Sequence, residues 1–142
     1  MKVILLLSIS IVLMTLIVAC CIDQESGELE GILWRLDSYA DQQGNLVNVL
    51  PNTKITAQFK EGTVNGSAGC NTYFASYRIS GSALIIGSIG ITEMYCTEPD
   101  GIMEQESDYL AALESVKGFT IEGSKLEMTN GQGILVLVFT AG

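Results

Sequence analysis

The chain has 142 residues, with seven basic, sixteen acidic and no histidine side chains, and its formal net charge at pH 7 is −9. This charge disfavours nucleic acid as a partner and also disfavours lying flat on anionic lipid, because both interactions depend on clustered Lys and Arg. The absence of histidine excludes Ser-His-Asp and Cys-His catalytic sites and argues against a zinc site, so we predict no metal and no cofactor.

The first twenty residues have the layout of a secretory signal. Lys2 precedes an apolar run from Val3 to Val18, and the small residue Ala19 stands immediately before Cys20. A charged start, an apolar centre and a small residue before the cut are typical of exported proteins. The Ala19-Cys20 junction resembles the lipobox of prokaryotic lipoproteins, which implies removal of residues 1–19 as a signal peptide and a lipid on Cys20.

An uncleaved membrane anchor is the alternative for this segment. Its apolar stretch of about 16–17 residues is at the short edge for crossing a bilayer. Cys21 is a poorer lipid site than Cys20, because a cysteine rather than a small residue precedes it. Both interpretations predict an exported protein that is held at a cell membrane or envelope surface by its amino end.

Residues 20–30 predict an acidic tether, and residues 31–142 predict a single domain. The tether segment is polar, carries several acids and shows no periodicity, which is typical of a solvated linker. Ten extended residues reach at most ~35 Å, which would hold the domain clear of the lipid head groups.

Alternating apolar residues and short apolar runs predict about eight short strands in the domain. They lie at residues 32–36, 54–60, 73–79, 83–86, 89–95, 119–121, 125–129 and 134–139. The stretch 65–71 is too rich in glycine for a strand interior and predicts a bulge or a close approach of two backbones. Asn130-Gly131 predicts a hairpin, and the uniformly apolar last strand predicts a position in mid-sheet, against the helix, with both faces covered.

One helix is predicted at residues 101–117. Ile102, Tyr109 and Leu113 fall on one helical stripe, acidic side chains cluster near its start, and Lys117-Gly118 marks its end. Together with the strands, this helix predicts a small α+β domain in which a curled antiparallel sheet packs around one helix.

Export makes the two cysteines of the domain interpretable, because the extracytoplasmic compartment permits disulfides. A bond between Cys70 and Cys96 would close a loop of 27 residues and stabilise the fold by ~3.5 kcal/mol on chain-entropy grounds. Two buried thiols are the alternative. Metal binding is disfavoured because the cysteines lack the paired CxxC spacing of zinc sites.

The stretch Gly66-Ser67-Ala68-Gly69-Cys70-Asn71, together with the downstream cysteine, resembles the META domain, also called the HslJ-like family of small exported lipoproteins. The strand around Trp34, the segment 91–96 and the helix residues 104–113 fit the same family, so the likeness spans about residues 31–139. The resemblance implies a half-open antiparallel barrel with one packed helix and no catalytic site. The family motif residues are Gly66, Gly69, Cys70 and Asn71.

We therefore expect a monomeric, lipid-anchored, non-enzymatic envelope domain that binds a protein or peptide or supports the envelope under stress. Four aromatic residues near the cysteines form the candidate binding patch: Tyr73, Phe74, Tyr77 and Tyr95. A small-molecule or lipid carrier that uses the barrel interior is one alternative. A hydrolase is the other, and it would need a facing pair among the acids Glu93, Glu104, Glu106 and Asp108.

Overall fold

The computed structural model describes residues 28–142, so the predicted signal peptide, Cys20 and most of the predicted tether lie outside the described residues. The described part contains ten strands and the helix α1 (Ile102–Ser115). The strands are β1 (Leu33–Ala40), β2 (Leu46–Asn48), β3 (Thr56–Lys60), β4 (Thr63–Ser67), β5 (Thr72–Ser80), β6 (Ala83–Ile86), β7 (Gly90–Ile91), β8 (Val116–Glu122), β9 (Lys125–Asn130) and β10 (Leu135–Ala141). Within this range no helix is long and apolar enough to cross a membrane.

Eight of the strands form a closed antiparallel barrel. Their order is β1-β3-β4-β5-β6-β8-β9-β10. The last strand, β10, pairs with β1 and closes the ring, from Trp34 opposite Ala141 to Tyr39 opposite Leu137. The short strands β2 and β7 are additions that pair with β1 and β5. The predicted α+β class with one helix is confirmed, but the predicted half-open barrel is wrong, because the pairing of the first and last strands closes the sheet.

The helix α1 lies across one opening of the barrel. It contacts β1, β9 and β10 and also contacts β6, which lies on the opposite side of the ring of strands. The helix begins after Gly101, which has a positive φ of 84°, and it ends at Ser115 because the chain passes directly into β8. It is therefore slightly shorter at both ends than the predicted helix at residues 101–117.

Aromatic and aliphatic side chains fill the barrel interior. Trp34, Phe59, Tyr73, Tyr109 and Phe139 are almost completely buried, and Tyr109 makes edge-to-face contacts with both Tyr73 and Phe139. Because large side chains from the strands and from α1 occupy this space, the barrel offers no support for a carrier that would use its interior. The prediction that the last strand is buried on both faces is confirmed for residues 136–139, and β10 lies between β9 and β1 against α1.

The packed part of the domain begins before the predicted boundary at residue 31. Leu29 is fully buried, and its carbonyl oxygen accepts a hydrogen bond from Trp34 Nε1 at 3.0 Å. Glu30 forms a parallel bridge with Phe59 and accepts a hydrogen bond from the Tyr77 hydroxyl. Leu29 and Glu30, which the sequence assigns to the tether, therefore pack or bond against the barrel.

The predicted strand at 89–95 is reduced to the two residues of β7. The ring of Phe74 lies over Gly90, where an added Cβ would meet it at 2.5 Å. Just beyond β7, Thr92 N still donates a backbone hydrogen bond to Thr72 O of β5 at 3.1 Å, and Met94 N then donates to the side chain of Asn71 in the glycine-rich motif at 2.7 Å. This segment, residues 92–96, forms part of the candidate site.

Candidate functional site

The side chain of Asn71 is the centre of a buried polar cluster. Its Oδ1 accepts hydrogen bonds from Thr92 Oγ1 at 2.8 Å and from Met94 N at 2.7 Å. Its Nδ2 donates to Met94 O at 3.0 Å and to Glu106 Oε1 at 2.7 Å. With 2 % of its surface exposed, Asn71 uses both ends of its amide to fix the segment 92–96 against the barrel.

Glu106 joins the helix to this cluster. Its Oε2 accepts hydrogen bonds from the backbone N–H groups of Cys70 at 3.1 Å and Asn71 at 2.6 Å, while Oε1 accepts from the Asn71 side chain. The residue is 4 % exposed, so this carboxylate is removed from water and satisfied by three donors. Glu106 therefore acts as a structural acceptor, and this arrangement does not suit a general acid or a nucleophile.

The neighbouring residue of the helix, Gln105, forms a second buried link. Its Oε1 accepts a hydrogen bond from Leu50 N at 2.6 Å, and its Nε2 donates to Thr53 Oγ1 at 3.1 Å. Gln105 and Glu106 thus attach the first turns of α1 to two different loops. The sequence analysis names Glu106 only as a possible catalytic acid and does not name Gln105, although Glu106 falls on the same helical stripe as Ile102 and Tyr109.

The motif glycines meet two different backbone requirements. A Cβ at Gly66 would lie 1.9 Å from the carbonyl oxygen of Thr56. Only glycine at this position therefore allows β4 to approach the start of β3 so closely. Gly69 has a φ of +112°, which side chains rarely adopt, and it stands in the turn closed by the hydrogen bond from Ala68 N to Asn71 O at 2.7 Å. The close approach predicted from the glycine content is present.

A disulfide joins Cys70 to Cys96, with 5.9 Å between the two Cα atoms. It connects the motif turn to the far end of the segment 92–96. Cys96 N also donates to the sulfur of Met103 at 3.4 Å, which attaches the same end to the helix. The segment is therefore fixed covalently at one end and by the Asn71 side chain near its middle.

The segment exposes apolar side chains although its backbone is held. Tyr95 is 81 % exposed and Met94 is 57 % exposed. Phe74 on β5 is 63 % exposed and Ile91 on β7 is 37 % exposed, but Ile91 pairs with Tyr73 and Gly90 pairs with Phe74, so these two side chains leave opposite faces of the strand pair. We call the two consecutive exposed residues Met94 and Tyr95 the Tyr95 strip.

Two members of the predicted aromatic patch lie inside the barrel instead. Successive side chains of β5 point to opposite faces, so Tyr73 and Tyr77 are buried while Phe74 faces outward. The Tyr73 hydroxyl lies 2.7 Å from the Tyr109 hydroxyl and donates to Thr56 O at 2.9 Å. Burial raises the pKa of Tyr109 and of Tyr73, and burial together with the hydrogen bond to Glu30 raises the pKa of Tyr77 to about 12.

The acids considered for a hydrolase have different surroundings. Glu106 is the buried acceptor described above, and Glu93 is exposed on the segment 92–96. Glu104 lines a groove of about 320 Å³ beside Tyr95, whereas Asp108 lines a different groove between the second half of α1 and the turn that connects β1 to β2. Among residues 28–142, no group of three or more acidic or cysteine side chains could hold a metal ion.

The part of the chain that carries the polar cluster, the two glycines and the disulfide matches a known domain family. A family model described as the META domain matches residues 27–142. The chain belongs to the META domain family. The match begins close to Leu29, the first buried residue of the described chain, and it confirms the family resemblance predicted from the motif.

Solved structures share the fold of this META domain. An NMR structure of a protein from Burkholderia xenovorans is 24% identical, covers 84% of this chain and 88% of its own, and gives a TM-score of 0.67. A second NMR structure is 17% identical over 80% of this chain and 92% of its own, with a TM-score of 0.60.

A crystal structure of a duf4847 family protein from Bacteroides vulgatus is 14% identical over 82% of this chain and 96% of its own, with a TM-score of 0.57. At these identities the likeness shows the fold alone. The comparison with curated proteins finds no match.

Proposed function

We propose that this META domain is an exported, lipid-anchored, non-enzymatic module that binds a protein or peptide through the Tyr95 strip. The observation that carries the proposal is that the strip has exposed apolar side chains on a backbone that is held in place. Tyr95 and Met94 are exposed, yet Asn71 and the disulfide hold the backbone on either side of them. Exposed apolar clusters of this kind mark interaction surfaces.

Fixation favours binding because it lowers the entropy lost when a surface is ordered. A mobile loop would lose backbone and side-chain freedom on association, whereas the segment 92–96 is already ordered by hydrogen bonds and a covalent bond. Tyr and Met are also enriched in interface cores. The buried acceptor Glu106 strengthens this preorganisation, because it ties the same turn to the helix.

Lipid anchoring rests on the amino-terminal pattern, with its apolar run ending in Ala19-Cys20. Since Leu29 is packed in the domain, nine residues, 20–28, would separate the lipid from the fold. An extended chain of that length spans at most ~32 Å, so the domain would lie near the membrane surface. The acidic charge of the chain would keep it from lying flat on anionic lipid.

A non-enzymatic role is supported by the roles of the acids. Glu106 is satisfied by three donors. Glu104 and Asp108 line separate grooves rather than facing each other across one. The arrangement of a glycosidase pair, two carboxyls on opposite sides of one cleft, therefore has no counterpart in these residues.

Photo-crosslinking in intact cells tests the proposed surface. A benzophenone amino acid is placed at Tyr95 or, as a matched exposed position on the β9–β10 hairpin, at Ile134. We expect a discrete crosslinked product from position 95 only, and we expect its loss when Met94→Ala is added. Equal crosslinking from both positions, or none from position 95, would refute the Tyr95 strip as the contact surface.

Membrane fractionation of Cys20→Ser tests the anchor separately. We expect the variant to leave the membrane fraction or to accumulate as an unprocessed precursor, while Cys21→Ser behaves like the parent chain. Membrane retention of a fully processed Cys20→Ser protein would argue against lipid on this residue.

A further inference from the structure

A second groove lies between α1 and the turn that connects β1 to β2. Its volume is about 300 Å³, and it is distinct from the groove beside Tyr95. Two carboxylates and several small apolar side chains line it: Asp41, Asp108, Ala40, Ala111, Ala112 and Val136.

Asp108 in this groove lacks the partners that a buried carboxylate needs. The residue is only 6 % exposed, and among residues 28–142 its Oδ1 is the one buried side-chain polar atom without a hydrogen-bond partner. Glu106, two residues earlier on the same helix, has three donors. An unpaired carboxylate that is largely removed from water is costly, so this acid points to a missing cationic partner.

The second carboxylate, Asp41, is fixed at the edge of the groove. Its Oδ1 accepts hydrogen bonds from Asn45 N at 2.8 Å and Gln43 N at 2.9 Å, and the Asn45 backbone bond above all lowers the pKa of Asp41. This acid therefore stays ionised near neutral pH and adds a second negative charge to the groove.

Within residues 28–142, the lining of the groove contains no basic side chain to offset these charges. None of the residues that line the groove is Lys or Arg, and the ion pair found among residues 28–142, Lys125–Glu127, lies on β9. The negative field also acts on Tyr39, whose pKa is raised by burial and then by the charges of Asp108, Glu104 and Asp41. The groove is thus negatively charged and uncompensated.

We propose that this groove binds a primary ammonium group at the end of an alkyl chain, as carried by a lysine side chain or a free diamine. The ammonium brings one positive charge and three donors to the two carboxylates, and rotation about χ2 of Asp108 can present either of its oxygens. The methyl groups of the alanines and of Val136 form an apolar wall for the methylenes. A divalent cation fits less well, because Ca²⁺ takes six to eight oxygen ligands and much of this lining is apolar.

The groove does not overlap the Tyr95 strip, so this proposal stands or falls independently of the proposed function. Titration of the full-chain protein with 1,5-diaminopentane, followed by the amide NMR signals of Ala111 and Ala112, tests it. We expect saturable shifts with a Kd on the order of 1 mM. Pentane-1,5-diol, which has the same chain without charge, should cause none.

Two variants separate a specific site from general attraction to an acidic protein. Asp108→Asn keeps the shape of the side chain and should weaken binding at least about tenfold, since a bond to a charged group is lost. Glu114→Gln removes an exposed charge from the same helix and should leave the affinity unchanged. Melting curves of both variants report that they are folded.

The same titration distinguishes the sources of the ammonium. Tighter binding of Nα-acetyl-lysine methylamide than of the diamine would indicate a lysine of a partner protein, and the reverse order would indicate a free diamine. Absence of saturable shifts, equal shifts with the diol, equal loss in both variants, or a response to CaCl₂ alone would overturn the proposal.

Discussion

Replacing Glu106 by Gln should destabilise the domain by about 2–4 kcal/mol. The amide oxygen can replace Oε2 and keep the two backbone donors, Cys70 N and Asn71 N, but the new NH₂ group then faces Asn71 Nδ2, which is itself a donor. The loss of one buried bond, which leaves a buried donor without an acceptor, costs about 1–3 kcal/mol, and the loss of charge assistance in the two remaining bonds adds about 1 kcal/mol. Asn71 cannot relieve the clash by turning over, because both ends of its amide are also bonded to Met94.

Urea unfolding followed by the fluorescence of Trp34 measures this loss. Trp34 is the single tryptophan of the chain and is fully buried, so its emission reports the barrel core. Glu104→Gln is the matched control, because it removes an exposed carboxylate from the same helix and should change stability by less than about 0.5 kcal/mol. A loss below about 1 kcal/mol for Glu106→Gln, or an equal loss in both variants, would refute the role assigned to this acid.

Three further predictions concern the disulfide, the motif glycine and the buried tyrosines. Cys70→Ser, or reduction of the parent protein, should lower the unfolding free energy by about 2–5 kcal/mol, and identical melting curves with and without reductant would count against the bond. Gly66→Ala should shift the urea midpoint strongly downward because its Cβ would clash with Thr56 O. Gly131→Ala should shift the midpoint only slightly, since the nearest atom to its Cβ is 3.6 Å away. A larger shift for Gly131→Ala than for Gly66→Ala would contradict this packing. The pKa of Tyr77 is raised from 10.0 to about 12 in the fold, so its stabilising contribution is complete below pH 10 and is lost as the pH rises toward 12. Tyr77→Phe should lessen the alkaline fall in stability measured by urea titrations, and an unchanged fall would exclude this contribution.

Local periodicity was sufficient to predict the helix and most strands but not the closure of the barrel. The alternation of Ile32, Trp34 and Leu36 identifies a strand, because each strand buries one face against the core. It carries no information about the partner of that strand. The β1–β10 pairing joins residues about one hundred positions apart, and that partnership was visible only in the folded structure.

The motif located the candidate site, whereas the role of each side chain depended on distant contacts. The sequence predicts the motif residues Gly66, Gly69, Cys70 and Asn71. Gly66 allows the close approach of β4 to Thr56, and the other three belong to the turn and its bonds. Glu106 was considered as a possible catalytic acid, because a carboxylate in a sequence does not reveal that three donors from 35 residues away will meet it.

The predicted aromatic patch is the opposite case, because the alternation along the strand already indicates which of its residues are buried. Tyr73, Ala75, Tyr77 and Ile79 share the predicted apolar face of one strand, and that alternation implies burial of both tyrosines. Phe74 falls on the other face and is exposed. Proximity to the cysteines along the chain was therefore a weaker guide to exposure than the period of the strand.

Intact-mass measurement of the protein purified from its own cells tests most directly the claim that this domain works outside the cytosol on a lipid anchor. The account predicts a chain that lacks residues 1–19, carries added acyl mass on Cys20, and is two hydrogens lighter than its reduced form because Cys70 and Cys96 are joined. A full-length, unmodified polypeptide in the cell interior with its four cysteines reduced would contradict it.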